Sequence, residues 1–320
     1  MNHPMGIQSN PAPDSSFHSP EASAPVHMKT TRPFYWSVRR ELWEHRSIYI
    51  APLAAAAVAM LAFFVSLITL PHSMRELAAL DRAHQPALLA QPYAHAGMLL
   101  TLTAFLVGIF YSLDALHGER RDRSILFWKS LPVSDLTTVL SKAIIPLFVL
   151  PVIVFLLAVV SQLTMLLIST VVLLLRDGGA ATLWKQLPLF EMQLVLLYGV
   201  TVLALWHAPI YAWMLLVSGW ARRATFLWAV LPWLGIAVFE RIAFSTSHFG
   251  LLLKDRLFGF AAGAFDLKTP SGAPVDPHLI PLSQLAPGRF LSSPGLWLGL
   301  LFAAIFIAAA VRLRRYREPI

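Results

Sequence analysis

DALHGERRDRSILFWKSLPVSDLTTVLSK, residues 114–142, separates two long apolar runs and carries the densest charge in the chain. Arg120, Arg121, Arg123, Lys129 and Lys142 outnumber Asp114, Glu119, Asp122 and Asp135. Positive charge gathered beside membrane-length apolar segments marks a loop on the cytoplasmic side of a bilayer. From Glu119 to Lys129 there is no Gly or Pro, and Ile125, Leu126, Phe127 and Trp128 follow the charged head. This composition predicts a short helix lying on the membrane surface. Pro132 disfavours helical geometry at Leu131, and Ser134 offers an N-cap for a new helix with Asp135 in its first turn. The same charges also suit an ordinary positive-inside connection, and both readings stand on the residues alone.

Outward from this loop, the chain is too apolar for a soluble domain: 57% of its 320 residues are hydrophobic, 13% are charged and the mean hydropathy is +0.64. An all-α polytopic membrane protein is the expected class. Six spans are predicted at about 48–70, 96–113, 143–169, 194–220, 226–244 and 295–311. The first would reach ~34 Å as a helix, and the full apolar run 143–175 ~50 Å, with Pro146 and Pro151 expected to kink it. Ahead of the first span, 34–47 reads as an amphipathic interfacial helix, with Trp36 and Trp43 at headgroup level and Arg39, Arg40, Glu41 and Glu44 as its polar positions. Between the last two spans, HFGLLLKDRLFGF is too charged to cross and is expected to lie at or dip into the outer interface, before an irregular Pro-rich loop.

Sixteen of the 25 Lys and Arg fall on the side that holds both termini, which assigns those termini to the cytoplasm. Placement of the net charge of +8 therefore favours membrane topology over a nucleic-acid partner. Residues 1–28 lack periodicity and are expected to form a disordered tail without a cleavable signal, leaving 29–320 as one membrane domain. There is no cysteine, which excludes disulfides and thiol chemistry. Two GxxxG patterns, Gly259 to Gly263 and Gly295 to Gly299, are candidate helix contacts.

Three blocks resemble the permease subunits of type-2 ATP-binding-cassette (ABC) exporters: GERRDRSILFWKSLPVSD at 118–135, LWHAPIYAWMLLVSGWARR at 205–223 and FLWAVLPWLGIAVFERIAF at 226–244. With the order of apolar segments, the similarity extends from about Pro33 onward. It implies a six-helix permease whose loop after the second span is a coupling helix that docks on a separate ATPase. On this chain the coupling residues would be Glu119, Arg120, Arg121, Asp122, Arg123, Trp128, Lys129, Ser130, Pro132, Ser134 and Asp135. The resemblance also implies export, a second permease chain, identical or related, and location in the bacterial inner membrane.

The chain has no GxxxxGK[ST] phosphate loop, HExxH or GxSxG, so no catalytic residue is assigned and ATP with Mg would belong to a partner. His72, His84 and His95 share a loop, but their spacing fits no standard metal motif, and no metal or other cofactor is expected on this chain. For the pathway, the candidates are Trp206, His207, Pro209 and Tyr211 in the fourth span, and Glu240 with Arg241 near the outer end of the fifth. Pro209 frees a backbone carbonyl, and the ionisable groups are costly to leave in lipid. A structural girdle, with His207 bonded to a neighbouring helix and Glu240 paired with Arg241 or another charge, is an equal alternative. At the level of the whole protein, an ion-driven secondary transporter or an assembly or sensory protein that binds a regulator through the basic loop also remains open.

Overall fold

A computed structural model describes residues 33–79, 85–122, 124, 133–175, 180–266 and 280–316, with the backbone only at 69–79 and 85–88. The described residues are overwhelmingly helical, and six of the helices are long and apolar enough to cross a membrane. The chain is thus a multi-pass membrane protein. Only helices satisfy their own backbone groups in hydrocarbon, which is why apolar runs of this length adopt no other form there.

The order begins with α1 (Pro33–Glu44), α2 (Ser47–Ala79), α3 (Gln85–Asp114), α4 (His117–Arg121) and α5 (Asp135–Ile144). A π-helical turn, Ile145–Val149, joins α5 to α6 (Leu150–Leu175). Then come α7 (Ala180–Gln186), α8 (Leu189–Trp220), α9 (Thr225–Phe244), α10 (His248–Phe258), α11 (Phe260–Ala264), α12 (Pro287–Leu291) and α13 (Pro294–Tyr316). The six long segments are α2, α3, α5 to α6, α8, α9 and α13.

Several expected boundaries shift. Helix α2 continues nine residues past the apolar run to Ala79, and α3 starts at Gln85 instead of 96, with Pro92 inside it. Once a helix is propagating, each added residue gains a hydrogen bond, so polar flanks extend it beyond the lipid-matched core. The predicted kink at Pro146 takes the form of the π-helical turn, a local widening that accommodates a residue with no N–H. The charged tail continues α13 to Tyr316, and α7, α11 and α12 are short helices that hydropathy did not signal.

Packing is most extensive between α8 and α13, where Ala208, Ala212 and Ala303 pack together. Small residues serve this purpose in membranes because lipid removes most of the hydrophobic incentive to associate. The Gly295 and Gly299 pair faces Trp206 and the Arg256 guanidinium of the same chain, so this GxxxG serves an internal contact. Helix α9 stands apart: Ala229 is its one buried residue. Two large clusters form the core, one around Ile48, Leu100, Tyr111, Val139 and Leu215, the other around Phe63, Leu89, Tyr93, Met165 and Leu173. The first lies toward the end of the bundle that carries α1, α4 and the basic end of α13, called here the basic end.

Candidate functional site: a buried ionic cluster at the basic end

Val38 and Leu42 lie four residues apart on one face of α1, and Glu41, three residues after Val38, lies on that same face. Packing Val38 and Leu42 onto the core therefore carries Glu41 inside, where it is 0% exposed. This corrects the expectation that Glu41 is one of the polar positions turned outward. On α5, Val139 and Lys142 share a face in the same way, and Lys142 is also 0% exposed.

The two meet. Lys142 Nζ donates to Glu41 Oε1 at 2.8 Å and lies 3.0 Å from Glu119 Oε1. Arg40 bridges the same carboxylates, 2.7 Å from Glu41 and 2.9 Å from Glu119. Tyr111 donates from its hydroxyl to Glu41 Oε2 at 2.9 Å. Arg314, at the end of α13, pairs with Glu119 Oε2 and, at 3.2 Å, with Asp135 Oδ1. Three cations thus oppose three carboxylates, and α1, α3, α4, α5 and α13 converge on one neutral cluster. Burial alone would push the Glu41 carboxyl up, but Lys142 and Arg40 outweigh it and hold the group down at about 2. Glu44, half-exposed at the rim, is pushed upward by burial.

A second set of bonds fixes α4. Ser218 Oγ, near the end of α8, accepts from the backbone N–H groups of Leu116 at 2.9 Å and His117 at 2.8 Å. In return, Arg120 Nη1 donates to the carbonyls of Gly219 at 2.9 Å and Ala221 at 3.2 Å. One helix start and one helix end, each with unpaired backbone groups, satisfy one another. Ser134 caps α5 as expected, accepting from Thr137 N at 3.1 Å.

Of the proposed coupling residues, Glu119 and Arg120 are buried in these internal bonds, Asp135 is held by Arg314, and Arg121 and Asp122 are exposed. Arg123, Trp128, Lys129, Ser130 and Pro132 lie outside the described residues, as does most of the predicted surface helix. Glu41, Glu44 and His45 place potential ligand atoms within 4.8 Å of one another, but Lys142 and Arg40 already occupy the Glu41 carboxylate, which leaves it poorly suited to a metal.

The fourth-span candidates are brought together as well. Trp206 Nε1 donates to the carbonyl of Arg256 at 3.0 Å, and the Arg256 guanidinium stacks 4.6 Å from the Trp206 ring. His207 reaches a carbonyl of α10, as the girdle reading supposed. Pro209 is buried within α8. Tyr211 is buried against Gly108, close to Pro146, and lines a cavity of ≈ 10 Å³ with Ser112, Ala143, Leu147, Ala212, Leu215 and Ile307. That is room for about one water.

Glu240 and Arg241 do not join this group, nor do they pair with one another. The Glu240 carboxylate accepts from the backbone N–H groups of His248 and Phe249, each at 2.8 Å, and from the Thr246 hydroxyl at 2.9 Å. It therefore holds the start of α10, while Arg241 is directed at the Ser245 carbonyl at 3.4 Å.

Sequence reasoning missed Glu41, Arg40, Lys142, Tyr111 and Arg314 as members of one site. The available signal was Glu41 interrupting the apolar face of α1, but its partners on other helices, Tyr111 and Lys142, lie 70 and 101 residues away in sequence. Comparison with protein-family models, with curated proteins and with solved structures finds no match for this chain.

Proposed function

We propose that this chain is the membrane subunit of an ATP-driven ABC exporter, contributing half of a translocation pathway and receiving its energy from a separate ATPase. The observation that carries this reading is the ionic cluster. A partner that pushed on the loop after α3 would push on α4. Through Glu119 that load would reach α1, α5 and α13 together, and through Arg120 and Ser218 it would reach α8. Rigid, mutually paired groups transmit displacement, whereas a solvated loop would absorb it. The cluster thus gives the basic end the mechanical continuity that a coupling element requires.

In this reading the basic end is cytoplasmic, with both termini there, and the membrane is the bacterial inner membrane. The exposed Arg121 and Asp122 and the loop residues that follow, among them Arg123, Trp128, Lys129, Ser130 and Pro132, make the contact with the ATPase, which holds ATP and Mg. Glu119, Arg120, Ser134 and Asp135 relay it. The second permease chain packs along α9, whose apolar side chains are nearly bare within one chain. Trp206, His207, Pro209 and Tyr211 border the pathway, with Glu240 and Arg241 at its outer rim.

The test is a mild-detergent purification of the tagged protein from its own cell, with mass spectrometry of what co-purifies. A stoichiometric ATPase carrying a phosphate loop is expected. Arg121→Ala combined with Asp122→Ala should reduce its recovery several-fold while leaving the permease itself folded. Recovery of a specific partner without a phosphate loop, under conditions that preserve other membrane complexes, would replace this reading with an assembly or sensory role.

A further inference from the structure

His207 sits midway along α8, 1% exposed, with both ring nitrogens facing backbone carbonyls: Nδ1 lies 2.9 Å from the oxygen of Leu203 and Nε2 3.2 Å from that of Leu257. A carbonyl only accepts, and a neutral imidazole carries a single N–H. The neutral ring can therefore satisfy one of these contacts while setting a nitrogen lone pair against the other oxygen. The imidazolium, with two N–H groups, satisfies both.

The two acceptors differ in what they hold. Leu203 is one turn back on the same helix, so that bond is local. Leu257 belongs to the last turn of α10, where carbonyls lack helical partners and carry the negative end of the helix dipole. The neighbouring carbonyl, Arg256, takes its donor from Trp206. Two consecutive side chains of α8 thus cap the end of α10 at the middle of a membrane-spanning helix, a place where an unpaired carbonyl is costly.

We infer that His207 is a proton-operated latch: with two protons it fastens the end of α10 to the middle of α8, and with one it holds that end more weakly. The latch depends on the ring and its two carbonyls, and it stands whether or not an ATPase is the partner. The charged group facing His207 from α10 is Arg256, with Asp255 next to it in the chain. From α3 the ring meets the edge of Phe105 at 4.8 Å, and from α11 that of Phe260 at 5.8 Å. On α8 itself the nearest titratable group is Tyr211, one turn on. His248 and Lys254 are the other titratable cations of α10, and His248 lies at its far end against Glu240.

Two readouts on the full chain in lipid nanodiscs test this between pH 5 and 8.5. The first is the ring ¹⁵N shifts of histidine-labelled protein, assigned by difference from His207→Phe. The second is amide exchange of residues 248–258, corrected for the intrinsic pH dependence. Two protonated ring nitrogens are expected at the acid end and one at the alkaline end. Exchange of 248–258 should quicken about tenfold across the same interval, the usual effect of losing a bond from a charged donor. His207→Gln supplies two N–H groups with no titration, so its exchange should be flat with pH. The latch is overturned if the ring keeps one state throughout, if exchange ignores a ring that does titrate, or if His207→Gln retains the pH slope, which would move the effect to His248.

Discussion

Lys142 shows how much can rest on one residue. It is wholly buried against two carboxylates, and removing it takes from Glu41 one of its two buried cationic donors, leaving Arg40 and the Tyr111 hydroxyl, while Glu119 keeps Arg40 and Arg314. Breaking a buried pair from one side costs about 3–5 kcal/mol, whereas replacing both partners by apolar groups is often close to neutral. Lys142→Met should therefore lower the melting temperature in detergent sharply, and Lys142→Met combined with Glu41→Leu should recover much of the loss. Equal melting of the single variant and the parent would remove the cluster from any structural account. The same carboxylate sets a pH dependence. Because Glu41 is held at about 2, below an ordinary value of 4.5, its ionisation stabilises the folded state above pH 4.5. That contribution, about 3 kcal/mol at most, is lost as pH falls from 4.5 through 2. Thermal unfolding over pH 7 to 3 should show this decline, and Glu41→Gln should flatten it.

Among the elements, α4 is too short to be stable by itself and survives by docking on the end of α8. Ser218 serves two backbone N–H groups at once, so Ser218→Ala strands both and should cost about 1–3 kcal/mol. The readout that isolates α4 is limited proteolysis after Arg120 and Arg121, expected to quicken relative to sites elsewhere; unchanged cleavage would show that Arg120 anchors α4 unaided. Between α3 and α8 the close approach depends on Gly108, where an added Cβ would lie 2.8 Å from the Tyr211 ring. Gly108→Val should separate the two helices at that level and destabilise the bundle by about 1–3 kcal/mol, measured by the same melting assay.

For the molecule as a whole, the ionic cluster divides the bundle into a bound basic end and a far end held by different means. At the basic end, charged groups from α1, α4, α5 and α13 neutralise one another, and Tyr111 of α3 adds a hydroxyl donor. At the far end, α10 is attached by Glu240 at its start, by Trp206 and His207 at its end, and by Arg256, which donates to Gly295 at 3.0 Å. In the proposed orientation, six spans would place both ends of the chain in the cytoplasm. A reporter fused after Ile320 should therefore be active in the cytoplasm, and activity on the opposite face would overturn the proposed topology.

The sequence by itself determined that the chain is helical, where its six spans centre, and which Ser begins the helix after the central loop. Those properties follow from hydropathy over some twenty residues and from capping chemistry within four, both of which are local. Only the tertiary structure decided what the charges do. Glu119 and Arg120 read as contacts for a partner through the family resemblance, yet their partners within the chain, Lys142, Arg314 and Gly219, arrive from three other helices. Glu240 and Arg241 read as a pair because they are adjacent, but successive helix residues point about 100° apart, and Glu240 turns to cap the helix that follows. An ion pair is chosen by distance in space, and helix packing, which no single segment encodes, sets that distance.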